Sequence, residues 1–252
     1  MTHSNPWSLS PEAIARFHRD GYLVVLDLLS SDEVEAFLQD NEDVFAGRRQ
    51  TGLTHHLENE TWARMAGHPR ITAVLRALMR GQPMCVQTMM LAKAPGGKGI
   101  AIHQDGYYIE TEPDTSNEPE IMIACWIALD AAGPDNGGLC VVPGSHQGPL
   151  LQFDRPQDSA QHVSWVHEYE YRNRAGKTWM VPLHSAEVRD WDPAREVLLT
   201  VPAGGGVFFT GRTIHGSHRN ESPDRPRRAF ACHYVRDGTW VYRTDIQRLM
   251  RV

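Results

Sequence analysis

A histidine and an aspartate lie two residues apart in the segment IAIHQDGYYIE, residues 100–110. In an extended strand alternate side chains point to the same side, so His103 and Asp105 can face one metal ion while Gln104 points away. An imidazole and a carboxylate are two of the three ligands of the facial triad that binds non-haem iron(II). The same pair also fits the solvated end of a strand, and a third ligand is needed to separate the two interpretations.

The third ligand must come from a histidine further along the chain. The candidates are His146, His162, His167, His184, His215, His218 and His233. His215 is favoured because the segment GVFFTGRTIHG predicts an apolar strand that ends at this residue, where a neighbouring strand can bring the other ligands. His218 is the rival in the same stretch, although its polar neighbours favour a surface position.

The segment RPRRAFACHYV predicts a strand with one cationic side lined by small residues. Alternation places Arg227, Ala229, Ala231 and His233 on one side and Arg228 on the other. The two alanines leave space for a small anion between the Arg227 guanidinium and the metal. A surface arginine in a basic turn is the competing interpretation of Arg227.

The first third of the chain supplies helices that can support these strands. Ser10 is a predicted N-cap, Pro11 takes the first helical position, and Gly21 follows the end of a short amphipathic helix. A strand, YLVVLDLL, and a second helix with a capping signal follow. Residues 61–80 predict further helix interrupted near Pro69.

From residue 83 onward the pattern changes to short apolar runs divided by Gly, Pro, Asn and Asp. This pattern predicts an antiparallel sandwich or barrel, with residues 1–82 as a mainly helical cover. Residues 147–197 are polar and aromatic, which indicates either a lid or binding loop or a segment with structure of its own. We expect one domain over residues 1–252.

Composition narrows the classes of partner. The 25 basic and 31 acidic side chains give a net charge of -6, with no concentrated basic patch of the kind that binds nucleic acid. No apolar run approaches the roughly 20 residues that span a bilayer, and no signal-peptide pattern is present. The four cysteines lie in apolar runs without CxxC spacing, which predicts buried free thiols. The expected protein is cytoplasmic, with no membrane partner and no nucleic acid.

Four ordered motifs resemble those of the phytanoyl-CoA dioxygenase family of iron(II)/2-oxoglutarate oxygenases. They are HQD at 103–105, ACWIALD at 124–130, NGGLCVVPGSH at 136–146 and HGSHRNESPDRPRRAFACH at 215–233. The opening FHRDGYLVVLDLLSSDEV also resembles the entry segment of that family. The resemblance therefore extends in order over most of the chain.

The resemblance implies a mainly β fold with flanking helices around a double-stranded β-helix, the jelly-roll or cupin-like core. It implies that His103, Asp105 and His215 hold iron(II), and that Arg227 and Ser217 bind the distal carboxylate of 2-oxoglutarate. Three further residues match positions that line the cosubstrate pocket. These are Met89, Gln104 and Trp126.

One position departs from the family pattern. His218 stands where many relatives have glycine, so the following segment can be one residue longer and Arg228 becomes an alternative to Arg227. The strand alternation described above favours Arg227.

The activity that the resemblance implies is hydroxylation of an unactivated C–H bond, with O2 and 2-oxoglutarate consumed and succinate and CO2 released. Asp105 favours hydroxylation because halogenating relatives lack this carboxylate. The net acidity favours a small free metabolite over an acyl-CoA, and Tyr107 and Tyr108 are candidate substrate contacts. Two alternatives remain: a cupin-like metal oxygenase or isomerase that does not use 2-oxoglutarate, and a non-catalytic jelly-roll that binds a small ligand. The oligomeric state stays open.

Overall fold

The computed structural model describes residues 8–115 and 118–252. Within these ranges the α-helices are α1 (Pro11–Asp20), α2 (Ser31–Asp40), α3 (Glu42–Phe45), α4 (Glu60–Ala66) and α5 (Pro69–Met79). The strands are β1 (Tyr22–Val25), β2 (Pro83–Lys93), β3 (Ile100–His103), β4 (Thr111–Glu112), β5 (Met122–Ala128), β6 (Leu139–Val141), β7 (Phe153–Asp154), β8 (Val166–Arg172), β9 (Thr178–His184), β10 (Glu187–Val188), β11 (Val197–Leu198), β12 (Gly206–Thr210), β13 (His215–Ser217), β14 (Arg227–Arg236), β15 (Trp240–Val241) and β16 (Met250–Arg251).

The helix ends follow from local side-chain chemistry. Ser10 accepts a hydrogen bond from the backbone N–H of Ala13, and Gly21 ends α1 with a φ of 80°, a left-handed conformation that glycine adopts without a steric penalty. Ser30 and Glu33 form a reciprocal capping box at the start of α2. Pro69 begins α5, which explains the predicted interruption of the helical pattern there.

Two antiparallel sheets form a jelly-roll. The larger sheet has the order β1-β12-β5-β14-β2-β16, and the smaller has the order β11-β6-β13-β3. Every pair in both sheets is antiparallel. The predicted mainly β class with a jelly-roll core is confirmed.

Strand β14 divides the hydrophobic core into two layers. Phe230 and Cys232 pack with the helices, among them Trp62 of α4, on the outer side of the large sheet. Ala229 and Ala231 face the other way, into the space between the two sheets. The alternation predicted for this strand is therefore present. The four cysteines are free and buried, as the apolar runs around them predicted.

The segment of residues 147–197 carries a hairpin of its own. Strands β8 and β9 pair antiparallel from Val166↔His184 to Arg172↔Thr178 and form a separate two-stranded sheet. Most side chains of β8 are exposed, so the sequence has little of the polar–apolar alternation that marks a half-buried strand. Among the described residues, no helix has both the length and the apolar character needed to cross a membrane.

Candidate metal and cosubstrate site

Three ligand side chains meet at one end of the small sheet. Strands β3 and β13 are antiparallel neighbours, and His103 and His215 are partners in their register. Asp105 lies in the short turn that follows β3. Its Oδ1 atom is 3.4 Å from His103 Nε2 and 3.7 Å from His215 Nε2. The His-x-Asp pair and the distant histidine thus form one buried cluster with metal-ligand spacing.

The tautomers of both histidines suit metal binding. The Nδ1 atom of His103 lies 2.8 Å from the backbone carbonyl of Ala101, and that of His215 lies 3.0 Å from the carbonyl of Thr213. A carbonyl only accepts, so each Nδ1 carries the proton and each Nε2 lone pair is free to bind a metal. Two nitrogens and one carboxylate oxygen fit the donor set of a facial triad, with coordination positions left for other ligands.

The second oxygen of Asp105 is held by a histidine from the large sheet. His233 Nε2 donates to Asp105 Oδ2 at 3.0 Å, and the Gln87 side-chain amide lies 3.3 Å from His233 Nδ1. His233 is buried, and its only candidate role from sequence was that of third ligand. It instead fixes the carboxylate so that Oδ1 faces the two ligand histidines.

Protonation states at the cluster follow from burial and charge. Burial opposes ionisation of Asp105, but its electrostatic interactions with His215 and His233 and the hydrogen bond from His233 outweigh it, and its pKa lies well below the usual range. Burial lowers the pKa of His215 to about 4. An ionised carboxylate and a neutral imidazole are the forms that bind metal.

His233→Leu is expected to weaken metal binding by about 10- to 100-fold, because it removes the hydrogen bond that orients Asp105. Calorimetric titration with Mn2+ measures the effect. The matched control is His56→Leu, since His56 is also buried but bonds to Thr88 instead of a ligand. Equal metal affinity in the His233→Leu and wild-type proteins would contradict this role.

A narrow cleft joins the two histidines to a buried guanidinium. It is lined by Leu91, Ile100, His103, Trp126, Leu139, His215, Gly216, Ser217 and Arg227. Arg227 donates from Nε to the Gly137 carbonyl and lies over the Trp126 ring at 5.7 Å. Its Nη1 is buried and has no hydrogen-bond partner among the described residues. Because buried polar groups are normally hydrogen-bonded, this donor group is suited to bind an anion in the cleft. Burial lowers the pKa of Arg227 to about 10, so it stays charged at neutral pH.

Arg228 does not reach this cleft. Its guanidinium binds Asp130 through two hydrogen bonds, 2.9 Å from Nε to Oδ2 and 2.7 Å from Nη2 to Oδ1. Of the two arginines left open by the sequence, the structure therefore directs Arg227 toward the metal cluster.

Lys93 makes the hydroxyl of Ser217 a donor. Ser217 Oγ accepts from Lys93 Nζ at 2.9 Å and from the backbone N–H of Ile100 at 3.3 Å. A hydroxyl has two acceptor positions and one proton, so with both positions filled its proton must be donated elsewhere. The cleft therefore presents the Ser217 hydroxyl and Arg227 Nη1 as donors, a combination suited to a carboxylate.

Lys93→Met is expected to raise the Kd for 2-oxoglutarate by about 3- to 10-fold, since one hydrogen bond of this network is lost.

The affinity for 2-oxoglutarate should also depend on pH through Lys93. Burial, with the charge of Arg227 added, lowers the pKa of Lys93 to about 7. Raising the pH above about 7 removes the Lys93 charge, so affinity for the dianion falls between about pH 7 and pH 9 in the wild type. Calorimetry on the Mn2+ protein checks both effects, and a wild-type pH slope that persists in Lys93→Met would contradict them.

Of the remaining residues predicted to bind cosubstrate or substrate, some line a cavity and others only support the surrounding chain. Met89 and Tyr108 line a large cavity that opens from the metal cluster. Gln104 lines neither cavity, because its amide donates to the Arg212 carbonyl and accepts from the Leu151 N–H. The Tyr107 ring packs on Phe153, outside the cavity lining.

Sequence reasoning missed Lys93 and the positioning role of His233. The alternation of β14 placed His233 on the side of Arg227, which is the one signal that pointed to its final position. Nothing in the local pattern around Lys93 indicates burial, which depends on its register partner Arg227 and the carbonyls of Gly137 and His218.

The fold and the site are those of the jelly-roll iron(II)/2-oxoglutarate oxygenases. A sequence model of the phytanoyl-CoA dioxygenase family matches residues 17–229, and the chain belongs to this family. The peroxisomal phytanoyl-CoA dioxygenase of Rattus norvegicus is 26% identical over 255 residues, which cover 90% of this chain and 68% of the relative. The ectoine dioxygenase of Stutzerimonas stutzeri is 28% identical over 241 residues, covering 85% of this chain and 73% of the relative.

A solved structure extends the likeness of the fold. The α-ketoglutarate-dependent epimerase SnoN from nogalamycin biosynthesis superposes with a TM-score of 0.68 at 21% identity, covering 93% of this chain and 85% of that one. Family membership, together with the His-Asp-His cluster, supports iron(II) and 2-oxoglutarate as the cofactor and cosubstrate of this chain.

Proposed function

We propose that this protein is an iron(II)/2-oxoglutarate-dependent dioxygenase that hydroxylates an unactivated C–H bond of a small molecule. The observation that carries the proposal is one cleft lined at one end by His103 and His215 of the His-Asp-His cluster and at the other by the buried Arg227 guanidinium, whose Nη1 has no hydrogen-bond partner among the described residues. A dicarboxylate with a metal-chelating 2-oxo acid group matches both ends of this cleft.

The residues have separate tasks. His103, Asp105 and His215 would hold the metal, and Arg227 with Ser217 would bind the distal carboxylate of the cosubstrate. When bound, iron(II) with 2-oxoglutarate and O2 supplies an oxidant able to attack a C–H bond, with succinate and CO2 released. The protein fixes the orientation of both partners, and the buried walls of the cleft exclude water from them.

The reaction outcome depends on the position of the substrate. The proposed ligand set includes a carboxylate, Asp105, which supports hydroxylation over halogenation. SnoN is described as an epimerase, so a similar fold also serves a reaction that leaves composition unchanged. Mass analysis of the product separates the two outcomes, since hydroxylation adds one oxygen atom from O2 and epimerisation adds none.

The proposal is tested by anaerobic reconstitution with Fe2+ and 2-oxoglutarate. We expect the visible charge-transfer absorption of an iron(II)–2-oxo acid chelate, followed on aeration by slow formation of succinate without substrate. Metal binding without this absorption would favour a cupin-like oxygenase or isomerase that does not use 2-oxoglutarate. Absence of metal binding would favour a non-catalytic ligand-binding jelly-roll.

A further inference from the structure

A row of aromatic rings leads away from the metal cluster along one side of the large cavity. The cavity has a volume of about 580 Å3, within the range of sites for drug-sized ligands. We call Tyr108, Trp165, His167 and Tyr169 the aromatic wall; all four line the cavity. Tyr108 lies between the metal ligand His103 and Trp165, with ring centroids 5.6 Å from each.

The hairpin geometry explains why three of these rings share a face. Trp165, His167 and Tyr169 alternate along β8 and its entry, so they project to the same side. The Trp165 and His167 rings are 5.9 Å apart and nearly parallel, at 27°. All three line the cavity, and the nearly parallel Trp165 and His167 rings are the part of the wall suited to stacking, because the Tyr169 ring stands at 74° to His167.

Both ends of the aromatic wall are anchored. The Tyr108 hydroxyl accepts a hydrogen bond of 2.7 Å from the Ala186 N–H. At the other end the buried Arg243 guanidinium stacks 4.0 Å from the Tyr169 ring centroid and is held by two hydrogen bonds to Asp245. A wall fixed in this way binds a rigid ligand with a small loss of side-chain entropy.

The rest of the lining is mainly aliphatic or thioether. It includes Leu53, Met89, Met90, Leu91, Ala92 and Val163. Such surroundings favour burial of an apolar body, and unbranched methionines adapt to its outline.

Charge at the cavity disfavours two other kinds of ligand. Asp105 is the one carboxylate among the described residues of the lining, and it belongs to the metal cluster, so none remains for the cation of a zwitterionic solute. Lys93 and Arg227 lie at the cosubstrate end, and Asp245 pairs with Arg243. Lys98, exposed and donating from Nζ to the Ser159 carbonyl at 2.6 Å, is then the lining cation without a carboxylate or cosubstrate role, and one cation is too little positive charge for the several phosphates of a coenzyme A thioester.

We infer that the substrate is a flat, ring-containing and largely apolar molecule that stacks on the aromatic wall and directs an acidic group, a phenol or a carboxylate, toward Lys98. This inference rests on the proposed function for its chemistry, but it concerns binding alone. It specifies the substrate class within the small molecules considered from sequence, and it assigns the β8–β9 hairpin a substrate-binding role.

The test is calorimetric binding of three probes to the purified full chain, loaded with Mn2+ and 2-oxoglutarate under argon. The probes are 1,8-dihydroxyanthraquinone, ectoine and myristoyl-CoA. We expect the anthraquinone to bind at least about tenfold more tightly than either other probe. Tighter binding of ectoine or of myristoyl-CoA, or equal binding of all three, overturns the inference.

Two tryptophans, one lining the cavity and one outside it, test whether the probe binds at the aromatic wall. Trp165→Ala is expected to weaken anthraquinone binding about 5- to 10-fold, and Trp165→Phe to restore most of it. Trp179 lies on β9 against Tyr171 and Tyr242 and does not line the cavity, so Trp179→Ala should change the Kd by less than about twofold. Equal losses in Trp165→Ala and Trp179→Ala would mean non-specific binding and overturn the inference.

Failure of the proposed function gives a different result. If the chain binds the anthraquinone through Trp165 but forms no succinate, the binding inference stands and the reaction class falls. If it forms succinate from 2-oxoglutarate but shows no preference for the planar probe, the inference alone is overturned.

Discussion

Arg227→Met is expected to raise the KM for 2-oxoglutarate by about 100-fold or more, because it leaves a carboxylate in a buried cleft without its charged partner. Arg227 is 3% exposed and its Nη1 makes no hydrogen bond within the described protein; its Nε bond to the Gly137 carbonyl is lost, but Lys93 also donates to that carbonyl, so the cost in folding stability should be small. The measurement is succinate formation as a function of 2-oxoglutarate concentration. Calorimetric binding of 2-oxoglutarate to the Mn2+ protein gives the same comparison without turnover.

The adjacent Arg228 is the matched control for this variant. Its side chain is 34% exposed and pairs with Asp130, a partly exposed ion pair of the kind that contributes about 0–1 kcal/mol. Arg228→Met should therefore keep the wild-type KM. A large increase in KM for Arg228→Met with none for Arg227→Met would reverse the assignment of the two arginines.

His215→Ala is expected to abolish succinate formation and to weaken Mn2+ binding by more than the roughly 10- to 100-fold that loss of an outer partner costs. Two ligands on β3 and its turn would remain, which is too few to hold the metal against water. Calorimetry with Mn2+ measures the loss, and thermal unfolding of the metal-free protein checks that the fold persists.

His218, three residues along, is the control for His215. Its side chain is 52% exposed and its Nε2 pairs with Glu196 at 2.9 Å; with Cys140 and Glu196 it forms a group of possible ligands separate from the His-Asp-His cluster. His218→Ala should therefore keep the Mn2+ affinity of the His-Asp-His cluster. If His218→Ala lost the metal while His215→Ala kept it, the third ligand would be misassigned.

The sequence predicted those parts of the site that depend on local spacing. His103 and Asp105 lie close together because of a strand and the turn after it, and Arg227 follows the alternation of one strand. The strand predicted to end at His215 was wrong in its end point, because the apolar strand β12 ends at Thr210 and His215 begins β13 in the small sheet after a turn. The predictions for His103, Asp105 and Arg227 need only the period of a β-strand and the identity of the residues.

The parts that the sequence did not predict depend on contacts between distant segments. Lys93 becomes buried only through its register with Arg227 and its contact with Ser217, 124 residues later. Gln104 was expected near the cosubstrate, yet its amide fastens the chain near Leu151 and Arg212. Local spacing carries no information on such partners.

The hairpin illustrates the same limit for secondary structure. Strand β8 is mostly exposed, so burial does not impose the apolar alternation that reveals other strands of the protein. The polar and aromatic composition of residues 147–197 indicated a lid, a binding loop or a segment with structure of its own, but it did not predict a hairpin. The helices of the first third, by contrast, have caps and prolines that define their ends.

The separate pairing of β8 with β9 has a consequence for divergence and redesign. None of the metal-cluster residues lies on this hairpin, whose strands hydrogen-bond with each other outside the two jelly-roll sheets. Mutations that alter its inward-facing rings can accumulate without disturbing the reaction centre. Given the substrate-binding role inferred for this hairpin, changes confined to one surface element would alter the substrate, and directed evolution aimed at substrate range would begin at positions 165, 167 and 169.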